Sequence, residues 1–543
     1  MNIGLCFGLT VVFVALLEQF VKPRSIGRRL IWRRSLFVMS PVVVFYFTVF
    51  MISYRAVFSA GLTLILYALL IVLNNAKYTA LREPLVYSDF SLLRQVIQQP
   101  RLYVTYIGVW RLMAWTLLAV GFGSGALLLE HPIVERQGMR GWLPSTVYLL
   151  MLIGMIYAIV HGPLRGTFVR LLKKFGPKLQ LDQDVSSLSL LACLICYFYL
   201  AQVSDGRSEH RHRALTRQKQ RILRGRSADK MPPPSVRECL PPVLPDVIVI
   251  QSESFFDARR MHPDIGNDGL LCGYSRLSDE ARYRGHLTVP AWGANTLRTE
   301  FAFLSGMPNA ALGLDRYNPY TWLCRQPTWT IAQQMRSFGY VCTCIHPFHS
   351  NFFERNVVFP NFGFYRFVDI SEFEDAKRVG PYVSDVALGE RIQRELETSE
   401  GPRFIFAITM ENHGKWDQDR FGQPDDGLQA DAAPLGSPEL GLYLRHLEST
   451  DHMIVSLTEF LKRRERPAIF CFYGDHVPSL PSLYSRIGYD DPRTDYIVWT
   501  TESTSPIQVN VPIEMLGRLV LDSTFSLRGS VGSEAPSSLP TMS

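Results

Sequence analysis

The sequence predicts two joined units, an N-terminal all-α membrane domain of about six spans and a C-terminal α/β domain. Three observations carry this reading. The 543 residues exceed the usual span of one globular domain. Apolar runs long enough to cross a bilayer crowd residues 1–204, whereas short β-branched runs spaced by helical segments fill the chain from 243 onward. Charge divides at the same place: residues 1–204 hold 19 Lys/Arg against 7 Asp/Glu, 205–230 hold 9 against 3, and 231–543 hold 28 against 39. The whole-chain net charge of +7 therefore averages unlike parts. A composition 47% hydrophobic and 19% charged excludes a disordered or coiled-coil chain. The acidic second unit argues against nucleic acid as a partner.

The expected spans are 2–21, 35–54, 56–74, 104–128, 144–162 and 186–203. The first lacks a basic leader and an A-x-A-like site and is succeeded by further spans, so it reads as a span and not as a cleaved signal. Lys/Arg distribution orients them. The 22–34 loop carries Lys22, Arg24, Arg28, Arg29, Arg33 and Arg34, and the 75–103 and 163–185 loops are also basic. In the 129–143 loop, Arg136 and Arg140 are balanced by Glu130 and Glu135. The first, third and fifth loops then face the cytoplasm, which places both termini and the second unit outside. The segment after the last span is itself basic and votes the other way, but large translocated domains tolerate such votes.

Residues 205–242 read as a basic linker that includes Pro232, Pro233 and Pro234 before the second unit, 243–521. Along a membrane surface its charges could gather anionic lipid headgroups; a solvated tether explains them equally well. The tail, 522–543, reads as disordered. Six cysteines fall in the second unit and allow fifteen pairings, among which the sequence does not choose. Cys342 and Cys344, inside an apolar run, read as buried thiols.

In the second unit, the runs Val247–Ile250, Tyr340–Ile345, Phe404–Thr409, Ala468–Tyr473 and Tyr496–Thr500 have little polar alternation, as strands buried on both faces do. Segments 328–338 and 440–464 have helical periodicity. Open α/β sheets bind ligands beyond the carboxyl ends of their strands. The residues just past these runs are therefore informative: Glu253 after the first, Glu411-Asn412-His413 after the third, and Asp475-His476 after the fourth. Carboxylates and imidazoles on one rim suit a hard or borderline divalent metal. Gly293-Ala294-Asn295-Thr296 leads into a helical stretch and places a hydroxyl at a helix N-terminus, where a phosphate or alkoxide is stabilised. An ordinary N-cap role accounts for Thr296 as readily.

The ordered segments PDVIVIQSESF, GANTLRTEFAFLSG, HPFHSNFFERN, ITMENHGKW and FYGDH, between about 243 and 500, resemble the lipoteichoic-acid-synthase and phosphoglycerol-transferase branch of the alkaline-phosphatase/sulfatase superfamily. The resemblance implies an alkaline-phosphatase/sulfatase-like α/β fold for the second unit. It also implies a metal, manganese with magnesium or zinc as alternatives, held by Glu253, Thr296, Asp475 and His476. Thr296 would be the nucleophile, and Arg355, His413 and His346 would bind substrate, His413 also acting in catalysis. Glu300 matches a Glu of the same motif. Two positions depart from the synthases, Phe348 where they carry Asp and Phe353 where they carry Trp, and both lie around the headgroup pocket. No C/S-x-P-x-R motif of a sulfatase surrounds Thr296.

The activity so implied is transfer of phosphoglycerol from the anionic phospholipid phosphatidylglycerol to an extracytoplasmic glycan or polyol-phosphate acceptor, through a threonine-linked intermediate. Two other activities use the same apparatus: phosphoethanolamine transfer from phosphatidylethanolamine, and lipid phosphodiester hydrolysis with water as acceptor. A catalytically inactive scaffold for glycan export is disfavoured by the intact metal set.

Overall fold

The computed structural model describes residues 2–23, 32–92, 109–133, 139–203, 243–265, 269–321, 323–325, 327–416, 434–502 and 505–526. The chain forms two compact units, Met1–His212 and Arg213–Ser543. The expected linker 205–242, Cys239 included, lies outside the described residues.

The first unit is helical, and each of the six expected apolar runs falls on a helix: Ile3–Leu17, Trp32–Ser53, Ala56–Leu81, Val109–Leu129, Leu143–Val160 and Leu190–Val203. Among the described residues, three are long and apolar enough to cross a bilayer by themselves: Ile3–Phe20, Ala56–Leu81 and Leu143–Val160. Met39–Ser53, Met113–Leu129 and Leu190–Val203 are shorter apolar helices, and residues 104–108 of the fourth expected span lie outside the described set. Leu117, Leu128, Leu150 and Met151 are exposed, as side chains facing lipid would be. Polar groups satisfy helix ends inside this unit. The Glu130 carboxylate accepts the Val57 and Phe58 N–H groups at 2.9 and 2.8 Å, capping the Ala56–Leu81 helix.

The second unit is built on one mixed sheet. Its strands are β1 (Asp246–Ser252), β2 (Tyr283–Thr288), β3 (Val341–Ile345), β4 (Arg366–Val368), β7 (Arg403–Ile408), β8 (Ala468–Gly474), β9 (Thr494–Thr500), β10 (Ile507–Gln508) and β11 (Val511–Pro512). A separate hairpin pairs β5 (Arg378–Val379) with β6 (Tyr382–Val383). The sheet order is β10-β2-β9-β8-β1-β7-β3-β4, with β11 also on β2. The block β8-β1-β7-β3-β4 is parallel; beside it β9 runs in the opposite direction, and β2, antiparallel to β9, runs with the block again. Each of the five expected runs falls on a strand, with Tyr340 just before β3 and Thr409 just after β7, and the last, β9, runs antiparallel to β8.

Both faces of the central strands are covered, which explains their uninterrupted apolar sequences. Val247 and Val249 pack with Phe301, Phe303 and Val358 on one face, and Ile248 and Ile250 pack with Leu388, Leu447 and Leu457 on the other. The expected helices appear as Ile331–Ser337 and Pro438–Arg463. Cys342 and Cys344 are buried, and the eight described cysteines are free thiols. One boundary moves. The last helix, Ile513–Ser526, continues into the segment expected to be disordered from 522, because Phe525 packs edge-on against Phe338 and Ser523 and Thr524 are buried.

Candidate active site and metal centre

The register of the parallel strands brings four strand ends to one rim. Ser252 of β1 stands beside Gly474 of β8, Gln251 beside Ile408 of β7, and Ile345 of β3 beside Ala407. The next residues along each strand are Glu253, Asp475, Thr409 and His346, so residues far apart in sequence meet because their strands do. The rim is tied across the strands. The Glu253 N–H donates to Thr409 Oγ1 at 3.0 Å, and the Ser254 N–H donates to Asp475 Oδ1 at 2.8 Å. Gly474 permits this approach, since a Cβ there would stand 1.7 Å from the Phe255 carbonyl oxygen.

Glu253, Asp475 and His476 form the one group among the described residues able to hold a metal, with ligand atoms within 4.8 Å of one another. His476 Nε2 is 3.4 Å from Glu253 Oε1 and 3.4 Å from Asp475 Oδ2. His476 Nδ1 donates to the Val477 carbonyl oxygen at 3.0 Å, a tautomer that turns the Nε2 lone pair toward the carboxylates. Asp475 Oδ2 and His476 Nε2 are buried and make no hydrogen bond. Buried polar atoms without partners are costly, and a cation at this point would satisfy both. Burial and then the neighbouring Glu253 charge push the Asp475 carboxyl up to about 7, the electrostatic mark of a site short of positive charge. Two carboxylates and an imidazole fit a divalent metal ion.

Thr296 opens the helix Thr296–Ser305. The preceding turn reaches it through left-handed backbone at Gly293 (φ 68°) and Asn295 (φ 72°). Asn295, not Thr296, holds the cap position, so the threonine hydroxyl is not spent on the helix. Thr296 Oγ1 instead donates to Glu253 Oε2 at 3.3 Å. The same helix is fastened to the metal ligands by Thr299, whose hydroxyl donates to the Asp475 carbonyl oxygen at 2.7 Å.

One turn further on, Glu300 is fully buried and grips Arg355. Arg355 Nη2 donates to Glu300 Oε2 at 2.9 Å and Nε to Oε1 at 3.3 Å, and the Tyr320 hydroxyl also donates to Oε1. Arg355 Nη1 donates to His346 Nε2 at 3.2 Å, and His346 Nδ1 donates to the Ile408 carbonyl oxygen at 3.1 Å. Burial and the Arg355 charge hold the His346 imidazole well below its ordinary pKa, so it stays neutral and accepts from Arg355. The resemblance implies substrate contacts for both Arg355 and His346; in this arrangement both nitrogens of His346 are engaged, by the Ile408 carbonyl oxygen and by Arg355. The guanidinium keeps one N–H on each terminal nitrogen beyond these bonds. The Phe353 ring lies 5.2 Å from the guanidinium carbon, and Phe348 and Phe352 extend the aromatic wall. Phe353 and Glu354 both sit at φ 55°, a conformation disfavoured for bulky side chains.

His413 is half-buried on the loop after β7. Its Nδ1 donates to the Gly414 carbonyl oxygen at 2.7 Å, and its ring lies 5.6 Å from that of Tyr382. The groups that hold these parts escape sequence reasoning: Thr409 under Glu253, Tyr320 on Glu300, and His446 beside Glu411. None is marked by a motif for that role, and each lies on an element distant in sequence from the residue it supports.

Residues 245–515 match the sulfatase family model. The capsular polysaccharide biosynthesis protein RkpI of Rhizobium meliloti is 28% identical over 472 residues, covering 84% of this chain and 80% of that protein. A protein of the same organism assigned to cyclic β-1,2-glucan modification is 31% identical over 245 residues, 45% of this chain and 37% of its own length. Among solved structures, the Streptococcus pyogenes phosphoglycerol transferase GacH has 21% identity and a TM-score of 0.42, covering 58% of this chain and 82% of its own. The Listeria monocytogenes lipoteichoic acid synthase LtaP has 16% identity and a TM-score of 0.43, covering 58% and 78%. The matched residues 245–515 contain every strand of the sheet and the whole rim cluster, and this unit of the chain belongs to the sulfatase family.

Proposed function

We propose that the chain is a membrane-bound, metal-dependent transferase that moves phosphoglycerol from phosphatidylglycerol to an extracytoplasmic glycan. The observation that carries this reading is the Thr296 hydroxyl, freed from capping and 3.3 Å from Glu253 Oε2, beside buried ligand atoms that lack partners. Glu253, Asp475 and His476, with Thr296, would hold the cation, and manganese suits the set. When bound, it would supply Lewis acidity at the phosphate and lower the pKa of the threonine hydroxyl.

The chain's own residues do the rest. Thr296 Oγ attacks the donor phosphorus while the bond from phosphorus to the diacylglycerol oxygen breaks, leaving a glycerophosphoryl threonine. Glu253 Oε2 stands where the threonine proton is given up. His413, with Nδ1 committed to Gly414, carries on Nε2 the proton delivered to the departing diacylglycerol oxygen. Arg355, fixed by Glu300 and His346, turns its remaining N–H groups to a phosphate oxygen or headgroup hydroxyl. The acceptor hydroxyl then attacks phosphorus and loses its proton to His413, while the bond from phosphorus to Thr296 Oγ breaks and Glu253 returns the proton to the threonine oxygen. The apolar helices of the first unit would keep the domain at the membrane surface where the lipid headgroup lies, on the outer side of the bacterial inner membrane. A glycan acceptor is supported by the names of the two Rhizobium meliloti relatives, which concern a capsular polysaccharide and a cyclic glucan.

The test is donor choice by the full chain in lipid vesicles. Diacylglycerol release from labelled phosphatidylglycerol, with the label passing to an added glycan, is expected. Release from phosphatidylethanolamine alone would make it a phosphoethanolamine transferase. Free glycerol phosphate as sole product, whatever glycan is offered, would make it a phosphodiesterase.

A further inference from the structure

The loop that carries His413 is held by a buried carboxylate outside the metal cluster. It leaves the sheet at Ile408, and Glu411 lies two residues before His413, 1% exposed. Glu411 Oε2 accepts two donors at 2.7 Å, the Asp385 backbone N–H and the Ser449 hydroxyl. Glu411 Oε1 stands 3.0 Å from Nδ1 of His446, itself fully buried. Asp385 begins the 13-residue helix Asp385–Glu397, directly after the hairpin that carries Tyr382. Ser449 and His446 share a face of the Pro438–Arg463 helix. One side chain thus fastens the catalytic loop to two helices.

Two further features bear on this arrangement. The carboxylate receives the first N–H of a helix, where the dipole favours negative charge. The second buried carboxyl, Asp385, accepts the Thr450 hydroxyl at 2.7 Å, and burial together with the Glu411 charge pushes its pKa well up. Holding two carboxyls and an imidazole together away from water is expensive, and apolar side chains would pack the same space more cheaply. The ends of the loop are fixed independently. Thr409 N–H donates to the Gln251 carbonyl oxygen at 3.0 Å, and Trp416 Nε1 donates to Asn412 Oδ1 at 3.0 Å. Between them, Glu411 ties the loop to the Asp385–Glu397 and Pro438–Arg463 helices.

We propose that Glu411, with His446 as its partner, is a positioning residue for His413. This rests on the reading of His413 as the proton donor of the transfer. Glu411→Gln and His446→Gln are tested in the full chain in phospholipid nanodiscs, with headgroup-labelled phosphatidylglycerol as donor. A displaced proton donor predicts that kcat falls by about 10- to 100-fold while KM for the lipid changes little. The double variant is expected to lose no more than the more damaged single one, because both act through one loop. A second readout needs no turnover: carbethoxylation of His413 by diethyl pyrocarbonate, detected by peptide mass spectrometry. It should speed up in both variants, while the thermal stabilisation given by Mn²⁺ stays at the wild-type value. Wild-type kcat in Glu411→Gln, or unchanged His413 reactivity, would overturn the proposal. So would a loss of activity matched by a loss of the Mn²⁺ stabilisation, which would make Glu411 merely structural. If the wild-type chain releases no diacylglycerol, the transferase reading fails and His413 reactivity still decides the positioning role.

Discussion

Arg355 and Glu300 form a two-pronged ion pair sealed from solvent, with side-chain exposures of 2% and 0%, and Glu300 stands one helical turn from Thr296. The proposed nucleophile and the anchor of the proposed substrate arginine are therefore carried by the same helix, so their separation is fixed by backbone geometry. Removing one member of a buried pair strands the other's charge, at a cost of about 3–5 kcal/mol. Glu300→Ala should lower the thermal midpoint of the second unit strongly and abolish turnover. Arg355→Lys, which keeps the charge, should fold but lose donor affinity, because an ammonium cannot make the forked contact. Thermal melts and lipid KM values on the two variants check this.

Thr296→Ala separates chemistry from architecture. The hydroxyl bonds to the Glu253 carboxylate and caps no helix. Activity is expected to fall on the order of 10³-fold or more, with the thermal midpoint nearly unchanged. A large stability loss would instead return Thr296 to a structural role.

The metal reading predicts linkage. Adding Mn²⁺ at about 100 times its dissociation constant should stabilise the wild-type unit by about 2.7 kcal/mol. Asp475→Asn and His476→Ala should remove most of that gain. Gly474→Ala tests the support beneath them: its Cβ would collide with the Phe255 carbonyl oxygen, which is backbone and cannot swing aside. Overpacking there should cost about 1–3 kcal/mol and weaken the Mn²⁺ stabilisation.

Much of this arrangement is legible in the sequence, for physical reasons. β1, β3, β7 and β8 are buried on both faces over most of their length, so their sequences are apolar runs with little polar alternation, and the residues after them land on the ligand rim. β2 escapes because Tyr283–Thr288 is mostly half-buried and contains Arg284, Gly285 and His286, which mimic a loop. β4, β10 and β11 are too short to show a period. Glu253, Thr296, Asp475 and His476 are readable because each stands at the end of a strand or the start of a helix. The bonds from Tyr320 to Glu300 and from His446 to Glu411 are not, since they depend on how helices dock. The engagement of both His346 nitrogens is likewise a fact of packing that no spacing reveals.

His346 also gives a pH dependence. Its folded-state pKa is depressed by burial and by Arg355, so protons bind the unfolded chain more readily. Its contribution to stability is full above the ordinary histidine pKa of about 6.5 and is lost as pH falls below it, toward the depressed folded value. Unfolding free energies measured from pH 7.5 to 5 should decline more steeply for wild type than for His346→Gln, which cannot titrate. Parallel curves would show that the imidazole is not held neutral.

On the proposed mechanism, Thr296 becomes covalently attached to the donor headgroup. Intact-protein mass spectrometry of the full chain, incubated with Mn²⁺ and phosphatidylglycerol but no acceptor, detects that attachment. A glycerophosphoryl adduct that maps to Thr296, and is absent from Thr296→Ala, is the expected result. Diacylglycerol release with no adduct on Thr296, or the same adduct on another residue, would contradict it.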